Sequence, residues 1–331
     1  MQLTIAYYPV FDSKIAIYDS HQACYQADRS QIHQMETIMI QHRISGSFVA
    51  GALLMSAAFA QADALKVDVY NPGAKSLFPV SSELVTGKSE AVLIDAQFQR
   101  NDAEALVAKV KASGKKLTTV FISHPDPDFY FGLDVIKAAF PDVKVLATAS
   151  TIESIKATKD GKMAYWGPIL KDNAPKTVIV PEPIQGDTLK VDGQKLQVMG
   201  LKGPTPDRTY IWAPSIKTAM GGVLTYGNMH VWTADTQTPK DRADWQKSLK
   251  NLQALKPKVV VPGHFLNNAP HTLASVKFTS DYLKTLEAEL PKAKNSAELV
   301  TAMKQRYPKL EGVADLELSA KVLKGEMKWP Q

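Results

Sequence analysis

Beyond residue 66 the chain alternates short apolar runs with stripes of apolar residues at helical spacing. Residues 67–70 and 76–86 read as strands, and 91–95 (AVLID) reads as a buried strand ending on an aspartate. Residues 102–112 place Leu106, Val107 and Val110 on one face, which predicts a helix. The β-branched run 118–122 (TTVFI) predicts another buried strand, followed by a helix over 132–140 and a strand over 143–147. Residues 186–191 and 195–199 form a predicted hairpin across Asp192-Gly193, a favoured two-residue turn. Strands are expected at 209–213, 217–220 and 258–261. Helices are expected at 240–255, 273–289, 297–306 and 314–324. Consecutive strands mixed with helices predict α+β or α/β architecture, with sheets sandwiched between helical layers. Neither a short-period repeat nor a flexible linker interrupts residues 63–331, which read as one domain.

The start of the chain has a different character. Residues 44–60 (ISGSFVAGALLMSAAFA) are apolar and uncharged, follow His42 and Arg43, and end in small-x-small sites at 58–60 and 60–62. A basic flank, an apolar stretch and small residues at a cleavage point describe a secretory signal peptide. The competing reading, a transmembrane anchor, asks for a longer run richer in large apolar residues. Signal peptides begin near their basic region, so residues upstream of Met35 or Met39 read as an over-extended start. Residues 1–62 are therefore expected to be removed, leaving a periplasmic or secreted protein without stable membrane insertion. The chain's one cysteine, Cys24, falls in the removed part. The mature protein then has no disulfide, and any metal must be held by nitrogen and oxygen. A formal net charge of +6 comes from 39 basic and 33 acidic residues spread along the chain. No arginine-rich run or zinc-finger spacing appears, so no nucleic-acid partner is expected.

After residue 62 four histidines remain: His124, His230, His264 and His271. Two of them end apolar strands, in Ser123-His124-Pro125-Asp126-Pro127-Asp128 and in Pro262-Gly263-His264. Strand ends in layered α/β proteins project ligand loops. Pro125 and Pro127 bias their predecessors toward extended backbone, where alternate side chains share a side. One imidazole and at least one carboxylate are thus placed to converge, a set suited to zinc, manganese or iron. The blander alternatives are a hydrogen-bonded rim histidine, and Asp128 as the cap of a helix starting near Tyr130.

The segment SHPDPDFYFGLDVI resembles the His-x-His-x-Asp motif of the metallo-β-lactamase fold superfamily. The resemblance continues in chain order through LIDA ending near Asp95, GPTPDRTYIW (203–212), GGVLTYGN (221–228) and VVVPGH (259–264). It implies an αββα sandwich with a metal site at one edge of its two sheets, and a metal-dependent hydrolase.

The departures from the family's motif bear on function. His124, Asp128 and His264 keep three ligand types of the family, and Asp126 stands where its second histidine is expected. Phe129, Pro204 and Val223 replace further ligands. The resemblance therefore implies a depleted, mononuclear site on His124, Asp126, Asp128 and His264, with one zinc as the expected ion. In this reading Asp128 orients the water and Asn228 donates to the developing oxyanion. His230 and His271 are candidates for a missing ligand or proton shuttle, and Tyr130, Phe131 and Tyr226 for an apolar substrate wall. Rim or core packing is the commoner role for each. The expected activity is cleavage of an ester, amide or phosphoester. The alternative is an exported binding or metal-sensing protein that kept the fold and lost the chemistry.

Overall fold

The computed structural model describes residues 64–329. The apolar segment 44–60 and the expected cleavage sites lie outside the described residues. In chain order the first half contains β1 (Lys66–Tyr70), β2 (Ser82–Thr86), β3 (Glu90–Ile94), α1 (Arg100–Ser113), β4 (Lys116–Ile122), α2 (Pro127–Tyr130), α3 (Leu133–Ala139), β5 (Lys144–Ala147), α4 (Ala149–Leu170) and β6 (Glu182–Pro183). The second half contains β7 (Thr188–Val191), β8 (Gln194–Met199), β9 (Tyr210–Ala213), β10 (Thr218–Met220), β11 (Tyr226–Gly227), α5 (Pro239–Ala254), β12 (Val259–Val260) and β13 (His264–Phe265). Helices α6 (Leu273–Glu289), α7 (Ser296–Arg306) and α8 (Val313–Leu323) follow.

Strands β1 to β6 form a six-stranded sheet in chain order, antiparallel through β3 and parallel from β3 to β6. A five-stranded sheet runs β12-β10-β9-β8-β7. The strands alternate between two apolar cores. In β3, Val92 and Ile94 join Phe121 of β4 and Val191, Val198 and Ile211 of the second sheet. Ala91 and Leu93 instead face Leu106 and Val110 of α1. A strand with period-two side chains and both faces covered reads as an unbroken apolar run, which is why β3 and β4 are visible in the sequence. Burying each of these Val, Ile or Phe side chains contributes about 1.5–3 kcal/mol. The result is the αββα sandwich that the resemblance implied.

Two local differences from the sequence reading matter. The strand expected over 76–86 begins only at Ser82, because Pro79 has no N–H to give a ladder. Val80 instead makes an isolated bridge to His264, tying the chain before β2 to the end of the second half. The long helix α4 was not anticipated. Its buried residues Ile152, Ile155, Trp166 and Leu170 keep helical spacing, but Gly161, Gly167 and Pro168 obscure the pattern.

Candidate functional site

The site sits where three loops meet at the carboxyl ends of β3, β4 and the second sheet. Asp95, just after β3, takes a positive φ of 59° and is fully buried. Its carboxylate accepts from the Ser123 N–H (2.8 Å), the Ser123 hydroxyl (2.7 Å) and the Gly222 N–H (3.2 Å). One side chain therefore locks the loop after β4 to the loop after β10. Burial nevertheless pushes Asp95 up to about 7, and burial with the Asp95 charge pushes the neighbouring Glu83 up to about 8. The loop junction tolerates no extra atoms. A Cβ on Gly222 would stand 2.1 Å from the Thr209 carbonyl, and one on Gly263 would stand 1.8 Å from the Gly222 carbonyl. Gly222 also has φ 74°, which favours glycine.

The segment after β4 distributes its polar residues unequally. Asp126 occupies the N-cap position of α2, whose first helical residue is Pro127. Asp128 is therefore inside the helix and does not cap it. The Asp126 carboxylate does not cap either. It accepts from the Lys162 ammonium of α4 at 2.6 Å and lies 3.4 Å from His124 Nδ1. Lys162 also donates to the Pro125 carbonyl at 3.2 Å. Burial alone would raise the Asp126 carboxyl, but Lys162, with His124 and Arg208, holds it below the ordinary carboxylate value. His124 Nδ1 accepts from the Asp126 backbone N–H at 3.3 Å. Burial, aided by Arg208 and Lys162 against the Asp126 charge, lowers His124 to about 4, so the ring is neutral at neutral pH. His264 makes a separate pair, its Nε2 lying 3.2 Å from Asp128 Oδ2. Burial opposes a charged His264, but the Asp128 hydrogen bond and charge prevail and raise it.

These two ionic pairs border a cavity that opens to the surface. Asp126, Asp128, Lys162 and His264 face it, with Asp235 and Asp315; His124 is not on its wall. Its apolar side is made by Phe78, Trp166, Trp232, Trp329, Tyr226 and Val223. The rings brace one another: Trp232 and Trp329 meet at 5.4 Å and Phe78 and Trp166 at 5.3 Å, in each case edge to face. Asp235 fixes the two outer indoles by accepting from Trp232 Nε1 and, at 2.9 Å, from Trp329 Nε1. The parallel pairing of Tyr226 with His264 stacks their rings at 5.2 Å.

The expected four-ligand zinc centre on His124, Asp126, Asp128 and His264 does not fit this geometry. Phe129, fully buried, lies edge-on to both imidazoles at 5.2 and 5.6 Å. A hydrocarbon ring thus packs against both imidazoles of the expected donor set. The carboxylate on the His124 side, that of Asp126, already carries the chain's own cation. Among the described residues no group of three or more His, Asp or Glu is disposed to hold a metal ion. Val223 lines the cavity where the resemblance places a ligand, and offers only carbon.

Other expected residues also lie elsewhere. Asn228 is exposed at a turn with φ 54° and is not on the cavity wall. His230 is a core residue, its Nδ1 2.9 Å from the Tyr282 hydroxyl, and burial lowers it to about 4. His271 packs on Phe265 at 4.9 Å. Of the aromatics considered for a substrate wall, only Tyr226 lines the cavity; Tyr130 and Phe131 are core. The residues missed by the sequence reading are Lys162, Trp166, Trp232, Asp235, Asp315 and Trp329. Helical spacing over 152–170 was the one available signal for the first two.

Comparisons with known proteins agree with the architecture. A family model described as the metallo-beta-lactamase superfamily matches residues 76–264. Among solved structures, a metallo-beta-lactamase family protein from Thermus thermophilus superposes with a TM-score of 0.54 at 17% identity, covering 78% of this chain and 91% of its own. A metallo-beta-lactamase from Pontibacter korlensis gives 0.48 at 22% identity, covering 67% of this chain and 99% of its own. A search of curated proteins gave no match. At these identities the structural likenesses speak to the fold alone, while the family match spans more than half of the chain. The chain belongs to the metallo-β-lactamase superfamily, a membership that supports a metal-dependent hydrolase at the level of the family.

Proposed function

We propose that this chain is an exported superfamily member whose cavity receives a small organic molecule without a resident metal ion. The observation that carries the reading is the Lys162 ammonium on Asp126, at the place where the resemblance puts a metal. An internal cation satisfies that carboxylate without metal recruitment, and Phe129 packs edge-on against both imidazoles. What is left is a braced aromatic wall over an ionic floor, the usual make-up of a preformed ligand site.

Family membership favours a second reading, a mononuclear zinc hydrolase on His124, Asp126, Asp128 and His264. In that case Lys162 would have to leave Asp126 when metal enters. A panel of ester, amide and phosphoester substrates separates the two, run with added zinc and with chelator. The metal-free reading expects neither addition to alter melting temperature or create turnover. Zinc-dependent, chelator-sensitive hydrolysis that His264→Ala abolishes would replace it with the second reading.

Export rests on the signal-like segment 44–60. A periplasmic or secreted location is part of the proposal.

A further inference from the structure

The charges around the cavity do not balance. Four carboxylates face it, from Asp126, Asp128, Asp235 and Asp315, against two basic side chains, Lys162 and His264. Lys162 is committed to Asp126 and His264 to Asp128. Asp235 is held at the rim by two indole N–H groups. Asp315, in the first turn of α8, differs from all of these. It is 8% exposed, and no donor reaches its carboxylate among the described residues; burial, with the Asp128 charge, pushes it up to about 7 against the charge of His264, so a cation beside it would bring it down. Tyr226 lines the same cavity and is 1% exposed; its hydroxyl also has no hydrogen-bond partner, and the charges of Arg208 and Asp315 both act on it. The Asp315 carboxylate is thus open to the cavity with no protein donor of its own, while the Tyr226 hydroxyl is a buried group left unpaired.

We propose that the cavity binds a protonated amine carried on a compact apolar body. The ammonium lies against Asp315 and the Tyr226 hydroxyl, and the body lies against Trp166, Trp232 and Trp329. An ammonium supplies the N–H donors that both oxygens lack. The indole faces attract a cation as well as hydrocarbon. An anion would meet the surplus carboxylates, and a neutral molecule would not supply the positive charge that favours an ionised Asp315. Arg208, the other nearby cation, is not on the wall; its guanidinium stacks over Trp245 at 4.3 Å. This inference rests on the metal-free pocket reading above and adds the class of ligand.

The test is titration calorimetry on the full chain with three probes of one shape: 2-phenylethylamine, 2-phenylethanol and phenylacetate. The amine should bind at least about tenfold more tightly than the alcohol, as expected of a charge-assisted contact, and phenylacetate should give no binding. Asp315→Asn should bring the amine to the level of the alcohol. Tyr226→Phe should weaken the amine without lowering the melting temperature of the free protein, because it removes a buried hydroxyl that has no partner there. Equal affinity of amine and alcohol would overturn the ligand class and leave the pocket reading standing. Failure of both to bind would overturn the pocket reading as well. If Asp315→Asn does not fold, the comparison of amine with alcohol and the Tyr226→Phe result still decide.

Discussion

Lys162 decides the character of the site more than any residue of the recognised motif. Its ammonium replaces an external cation beside Asp126, and the pair is partly shielded, with the side chains 12% and 22% exposed. Partners in direct contact couple by about 1–3 kcal/mol. A double-mutant cycle on Lys162→Met and Asp126→Asn, read by denaturant unfolding, should return a coupling in that range. Additive single-mutant effects would mean that the pair is incidental. Glu83 governs a second residue-scale property. Its folded-state value of about 8 exceeds the ordinary carboxyl value because of burial and the charge of Asp95. Folding therefore favours the protonated acid, and the stability it contributes is complete below the unfolded value of about 4.5 and lost as pH rises through 8. Melting temperature should fall between pH 5 and pH 9, and Glu83→Gln should fall less over the same interval. An unchanged slope in the variant would place the titration elsewhere.

At the scale of elements, the site depends on loops that approach closer than side chains allow. Gly263 packs on the Gly222 carbonyl, so Gly263→Ala must push the β13 strand away from the loop after β10. Overpacking of this kind costs about 3 kcal/mol, a loss visible in thermal unfolding. A variant as stable as the parent would contradict the described junction. The same elements explain what could be read from the chain. Strands β3 and β4 are buried on both faces, so their apolar runs announced themselves and placed His124 just beyond a strand end, whereas Asp128 lies in the α2 helix that follows. The hairpin of β7 and β8 was fixed by Asp192-Gly193. The pairing of Asp126 with Lys162 was not legible for a physical reason: residue types at motif positions do not say which partner each finds. Asp126 finds a lysine 36 residues away on a helix whose stripe is interrupted by glycine and proline. The aromatic wall was equally hidden, because Trp232 and Trp329, far apart in the sequence, meet edge to face and share Asp235 only in the folded chain.

At the scale of the whole molecule, the family's sandwich persists although much of the chemistry associated with it is altered. The fold is held by two cores on opposite faces of the strands, neither of which needs a metal to form. The architecture can therefore outlast the centre at its edge. Among the described residues no helix is long and apolar enough to cross a membrane. The export proposal predicts that intact mass of the native protein begins after Ala60 or Ala62; a chain that retains residues 44–60 would refute it. The central proposition is that Lys162, and not a metal ion, neutralises Asp126. Elemental analysis of the protein purified from zinc-supplemented medium at known concentration tests it most directly. The expected result is far less than one equivalent of transition metal per chain in the parent. One equivalent in the parent that is lost in His264→Ala would contradict it.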